Sequence, residues 1–216
     1  MNRPVPSPLR AVFLSAEGVL YALFLALDLT GRGGQSVPIK YAGIVLCLAY
    51  SLLGTDRLVP LALALTAGAD WFLLVRNGQY LLGIALFLAV QTVYFLRLRR
   101  AGADGAYFLR SALALGAELG VYALGMASAV NLAAALYFSQ LLSNTLLAWT
   151  VDGARRHAFA LGLTLFVGCD VCVGLFNALP PASPLYFPAS VGMWLFYLPS
   201  QALIALSAFP GKENVK

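Results

Sequence analysis

The chain has 216 residues, 61% of them apolar and 11% charged, with a mean hydropathy of +0.82. Soluble domains carry about 25% charged residues, so this composition excludes an ordinary soluble protein and points to a polytopic membrane protein whose partner is the lipid bilayer. The formal charge of +5 is scattered singly or in short clusters beside apolar runs, which argues against nucleic-acid binding.

The basic start "MNRPVPSPLR" leads into a long apolar run with no small-x-small cleavage site close behind it, so it reads as a first span rather than a signal peptide. Gly, Pro and charge clusters then divide the chain into spans at 10–30, 38–55, 58–75, 80–97, 109–126, 129–150, 157–177 and 188–208. At about 1.5 Å per residue, such runs match a hydrocarbon core of roughly 30 Å. The least marked break is "GMASAVN", between the fifth and sixth spans. Left unbroken, Leu109 to Thr150 would form a helix of about 63 Å, twice the core.

The cations decide the number of spans. Eight spans place Arg3, Arg10, Arg57, Arg97, Arg99, Arg100, Arg110, Arg155, Arg156, Lys212 and Lys216 on one side and Arg32, Lys40 and Arg76 on the other, eleven against three. Merging the fifth and sixth spans would give seven against seven. Lys and Arg accumulate in cytoplasmic loops, so the expectation is eight spans with both termini cytoplasmic.

The halves match at a shift of about one hundred residues. "AEGVLYAL" from Ala16 meets "AELGVYAL" from Ala117, pairing Glu17 with Glu118 and Tyr21 with Tyr122. "LALALTAGAD" meets "LGLTLFVGCD", pairing Gly68 with Gly168 and Asp70 with Asp170. After a one-residue slip, Gln91 also pairs with Gln201. The expected fold is an all-α membrane bundle of eight transmembrane helices. It forms a single domain over 1–216, with parallel four-plus-four pseudo-repeats at about 10–100 and 109–208.

An ionisable side chain at the centre of a span costs about 2.5–3.5 kcal/mol on insertion scales, so it normally faces the bundle interior. Asp70 and Asp170 lie at matching positions in spans that begin on the same side, and therefore at a shared depth. They serve either as helix-to-helix hydrogen bonds or as a carboxylate dyad sharing one proton, which would supply an acid and a base together. Glu17 and Glu118 share a second depth, each one turn from a tyrosine able to bond it, Tyr21 or Tyr122. Lys40 opens the second span as a snorkelling anchor or a ligand for a lipid phosphate. Gln91, Tyr197 and Gln201 are further polar groups within spans, with Pro199 predicted to kink the last one; Ser139, Gln140 and Asn144 read as interhelical glue. Arg97, Arg99 and Arg100 read as cytoplasmic anchors. Cys47, Cys169 and Cys172 lie in apolar runs with His157 as the single histidine, which favours packing residues over a metal or redox site.

The motifs "AGADWFLLV", "LLGIALFLAVQTVYF", "FVGCDVCVGLF" and "WLFYLPSQALIAL", with Lys40 in "IKYAGIVLCLA", resemble in order and spacing those of the lysoplasmalogenase (YhhN) family of eight-span membrane proteins. Ala69 stands where the family has glycine, Gln91 where it has histidine, and Tyr41 where proline commonly follows the lysine. The resemblance implies hydrolysis of the vinyl ether of a lysoplasmalogen to a fatty aldehyde and a glycerophospho-base, with no metal or cofactor, at a location in the bacterial inner membrane. It implies catalysis by Asp70 and Asp170, and binding of the lysophospholipid by Lys40, Gln91, Tyr197 and Gln201. A noncatalytic lipid-binding relative and a proton-coupled transporter are the alternative readings, the first favoured by Gln91 and the second by the repeat with its midplane acids.

Overall fold

A computed structural model describes residues 7–103, 106–151 and 156–209. Among these the fold is all helical: α1 (Ser7–Leu29), α2 (Gly33–Ser51), α3 (Leu58–Asp70) running directly into a π-helical turn (Trp71–Val75), α4 (Tyr80–Arg100), α5 (Ala106–Ala123), α6 (Ala129–Thr150), α7 (Arg156–Ala178) and α8 (Tyr186–Leu206). Five of them, α1, α3 with its π turn, α4, α7 and α8, are long and apolar enough to cross a membrane.

The breaks follow cap chemistry. Gly31, Gly102 and Gly125 adopt positive φ just past the ends of α1, α4 and α5, the left-handed step that closes a helix and that glycine takes without a Cβ penalty. At "GMASAVN", Gly125 ends α5, and Ser128 caps α6 by accepting the Asn131 amide at 3.1 Å. The fifth and sixth spans are therefore separate helices. Pro38 and Pro199 sit inside α2 and α8, and α8 remains one helix through Pro199.

α2, α3, α4, α6, α7 and α8 close a ring, each packed on the next and α8 back on α2. α1 lies outside against α2 and α8, and α5 outside against α6. α7 and α8 pair most extensively. A Cβ added at Gly162 would stand 2.8 Å from Ile204 Cγ1 and 3.1 Å from the Ser200 carbonyl, so their backbones approach as only small residues allow.

One end of the bundle is tied together by Arg97. Its guanidinium donates to Asp56 Oδ2 (2.7 Å), Ser207 Oγ (2.9 Å) and the Ser207 carbonyl (2.7 Å), and it lies over the Phe159 ring at 4.2 Å. Arg97 is thus a clamp between α4, the α2–α3 loop and the end of α8, and not simply an anchor. Arg3, Arg155, Lys212 and Lys216 from the charge tally lie outside the described residues.

Candidate active site

Asp70 is the last residue of α3 and the π turn starts immediately after it. A π turn accommodates one residue more than the α-helical spacing and recurs at functional sites. The carboxylate is 5% exposed, and its Oδ2 accepts a hydrogen bond from the Tyr197 hydroxyl at 2.7 Å, from α3 to α8 across the ring. Asp170 on α7 lies within electrostatic reach of Asp70. Its Oδ2 is buried without a hydrogen-bond partner among the described residues, and the carboxylate interacts with the buried Tyr137 of α6. The two aspartates are therefore electrostatic neighbours in the interior of the bundle.

Rings wall the pair. Phe166, one turn from Asp170 on α7, packs on Tyr197 at 5.3 Å, Phe87 at 5.7 Å and Tyr137 at 6.5 Å between centroids. Trp194 packs edge-on against Tyr197 at 5.2 Å. Two carboxyl groups among rings, with a phenol donor on one of them, are side chains of the kind that give and take protons.

Lys40 is 6% exposed and ion-paired with Asp28 at 2.7 Å, and Ser36 donates to the other Asp28 oxygen at 2.6 Å. Its ammonium also lies 4.9 Å from the Trp194 centroid and 5.6 Å from that of Phe24. Instead of snorkelling at an interface, Lys40 is enclosed between α1, α2 and α8, and the Trp194 ring it faces packs in turn on Tyr197, the donor to Asp70. A phosphate at Lys40 would have to share it with Asp28.

The two glutamines are not part of the dyad. Gln91 on α4 is fully buried; Asn144 donates to its side-chain oxygen at 3.0 Å and to its backbone carbonyl at 2.8 Å, while Arg110 donates to Asn144 at 2.7 Å. Asn144 is indeed interhelical glue, with Gln91 as its partner. Gln201, one turn from Tyr197 on α8, is also fully buried, with its Oε1 unpartnered among the described residues. The expected local pair of Glu17 and Tyr21 does not form. Cys47 donates to Glu17 at 3.2 Å, and Tyr21 donates to the Leu195 carbonyl at 3.2 Å. Glu118 is half-buried, whereas Glu17 is 5% exposed.

Sequence reasoning does not single out Tyr137, Phe166 and Trp194, because one aromatic among many in an apolar chain carries no positional mark. Spacing from the aspartates is the only available signal: Phe166 stands four residues before Asp170 and so shares its helix face.

No curated protein and no solved structure matches the chain. The model of the YhhN family matches residues 35–208, which contain Lys40, Asp70, Gln91, Asp170, Tyr197 and Gln201, and the chain belongs to that family.

Proposed function

We propose that the protein is a membrane-embedded hydrolase that cleaves the vinyl ether of a lysoplasmalogen to a fatty aldehyde and a glycerophospho-base, with Asp70 and Asp170 as its acid and base. The observation that carries this reading is the placement of the two carboxylates, on α3 and α7, within electrostatic reach of each other, with the Tyr197 hydroxyl on Asp70 at 2.7 Å. Membership of the YhhN family supports it.

The chemistry needs two proton-transfer groups. One carboxylic acid protonates the alkenyl carbon remote from oxygen, and the adjacent carbon becomes an oxocarbenium ion. The other carboxylate takes a proton from water as the water oxygen bonds to that carbon, giving a hemiacetal. The group protonated in that step then protonates the glycerol oxygen as its C–O bond breaks. The hemiacetal hydroxyl returns its proton to the first group, so the pair is restored and the net reactant is one water. Tyr197 already donates to Asp70, which suits Asp70 to the role of proton acceptor and Asp170 to that of donor.

In this reading all eight helices span the inner membrane of a bacterium with both termini cytoplasmic, and the halves form a parallel repeat. The packing pattern supports the repeat: α1 meets α2 as α5 meets α6, α2 meets α3 as α6 meets α7, α3 meets α4 as α7 meets α8, and α2 meets α8 as α6 meets α4.

Purified protein in mixed micelles should release aldehyde from a 1-alkenyl lysophospholipid, and Asp70→Asn and Asp170→Asn should each abolish the release. Full activity in either variant would remove the dyad mechanism. Gln91 at the family's histidine position favours a second reading, a noncatalytic lipid binder, which saturable lysolipid binding without aldehyde release would establish.

A further inference from the structure

On the outside of the ring, α2 and the π turn enclose an apolar groove of ≈640 Å³, lined on α2 by Val37, Tyr41, Val45 and Ala49 and on the π turn by Trp71 and Val75. Val45, Trp71 and Val75 are 43%, 44% and 37% exposed, so the groove opens away from the bundle along a membrane-spanning element. It follows α2 from Val37 to Ala49, a rise of about 18 Å.

Tyr41 belongs to two environments. It lines the groove and packs on Trp71 at 5.8 Å between centroids, and its side chain is also an electrostatic neighbour of Asp70. Its hydroxyl donates to the Ala67 carbonyl at 3.4 Å, one turn before Asp70. Tyr41 therefore borders the groove on one side and lies near the buried carboxylate on the other. At the π-turn end of the groove the chain continues from Val75 into Arg76, which is exposed. Arg76 lies six residues beyond Asp70, about 9 Å along the helix.

We infer that this groove seats the single hydrocarbon chain of a lysophospholipid, with Tyr41 as the partition between chain and dyad and Arg76 as the contact for the phosphate. The inference takes the choice of a one-chain phospholipid from the reading above. The groove's length of about 18 Å along α2 suits a single hydrocarbon chain lying along the helix. The order of parts along the π turn also matches the ligand. In a lysophospholipid the reactive ether lies between chain and phosphate, one glycerol unit from the latter, and Tyr41 with Asp70 behind it lies between the long arm of the groove and Arg76.

The test uses a 1-O-alkyl lysophosphocholine carrying a mid-chain diazirine, whose saturated ether the proposed reaction cannot cleave. The full-length protein is photolabelled in lipid nanodiscs and the sites are mapped by mass spectrometry. Labels should concentrate in 37–49 and 71–75 and be competed by unlabelled lysophospholipid but not by diacyl phospholipid. Ala49→Phe, on the open face of α2, should remove most of the labelling. Arg76→Gln should weaken competition by the lysophospholipid about fivefold while leaving competition by a fatty alcohol unchanged. Labels spread over all helices, or competed equally by diacyl lipid, would mean ordinary boundary lipid and overturn the inference. Labelling as expected in a protein that releases no aldehyde supports the groove and retires the hydrolase reading; aldehyde release with labels elsewhere overturns the groove and keeps the hydrolase.

Discussion

Tyr197 and Asp70 are 127 residues apart in sequence and joined by a 2.7 Å hydrogen bond inside the ring. A buried carboxylate that loses such a donor loses about 1–3 kcal/mol of stabilisation. Tyr197→Phe should therefore lower kcat for aldehyde release roughly ten- to a hundredfold, while Tyr21→Phe, whose hydroxyl bonds only the Leu195 carbonyl, should leave kcat unchanged. Steady-state kinetics on the two variants checks the contrast.

The Lys40–Asp28 pair is buried on both sides, at 8% side-chain exposure each. Removing one partner of a buried pair strands the other charge, at a cost of about 3–5 kcal/mol, whereas replacing both with apolar groups is close to neutral. Lys40→Met and Asp28→Leu should each lower the thermal midpoint in detergent sharply, and the double variant should recover most of it. If the double variant is as unstable as either single one, the pair is not the stabilising unit.

Arg97 holds Asp56 in a partly exposed pair, at 13% and 31% side-chain exposure, so its effect is smaller and screened by salt. Asp56→Asn should cost about 1 kcal/mol, and the deficit should shrink as ionic strength rises. Thermal melts at two salt concentrations measure it.

Asn144 donates to the Gln91 backbone carbonyl as well as to its side chain, so one of the two bonds survives any substitution at position 91. Gln91→His should fold normally and raise aldehyde release. A folded Gln91→His protein with no gain would show that position 91 does not limit the reaction.

Close approach of α7 to α8 at Gly162 fixes the helix bearing Asp170 against the helix bearing Tyr197. Gly162→Leu should destabilise the protein by about 1–3 kcal/mol through overpacking and lower kcat by misplacing the dyad. Gly18→Leu has open space at its Cβ and should do neither. Parallel melting and kinetic measurements separate the two sites.

Helix boundaries were legible wherever hydropathy and cap chemistry agree: the span read at 58–75 is α3 with its π turn, and that at 129–150 is α6. Asp70 and Asp170 stood out in the sequence because acids are rare in this chain, with nine Asp and Glu in 216 residues. The partners of Lys40 and Glu17 did not. Each pairs with a neighbouring helix, Asp28 on α1 and Cys47 on α2, and helix rotation about its axis, which selects such partners, is set by packing that no single segment encodes. The π turn was equally hidden, since "WFLLV" has no composition that distinguishes it from continued α-helix.

That π turn separates the aim of two neighbours. Asp70 points into the ring, while Trp71, next in the chain, is 44% exposed. A π turn is an α-helix with one residue inserted, so shortening 71–75 by a single leucine would restore regular winding without displacing Asp70. Everything downstream, Arg76 included, would keep nearly its place around the helix axis, because a π turn takes up its extra residue within the turn itself. Length variation by one residue can therefore be absorbed at this one point while the interior carboxylate and the exterior Arg76 both stay in register.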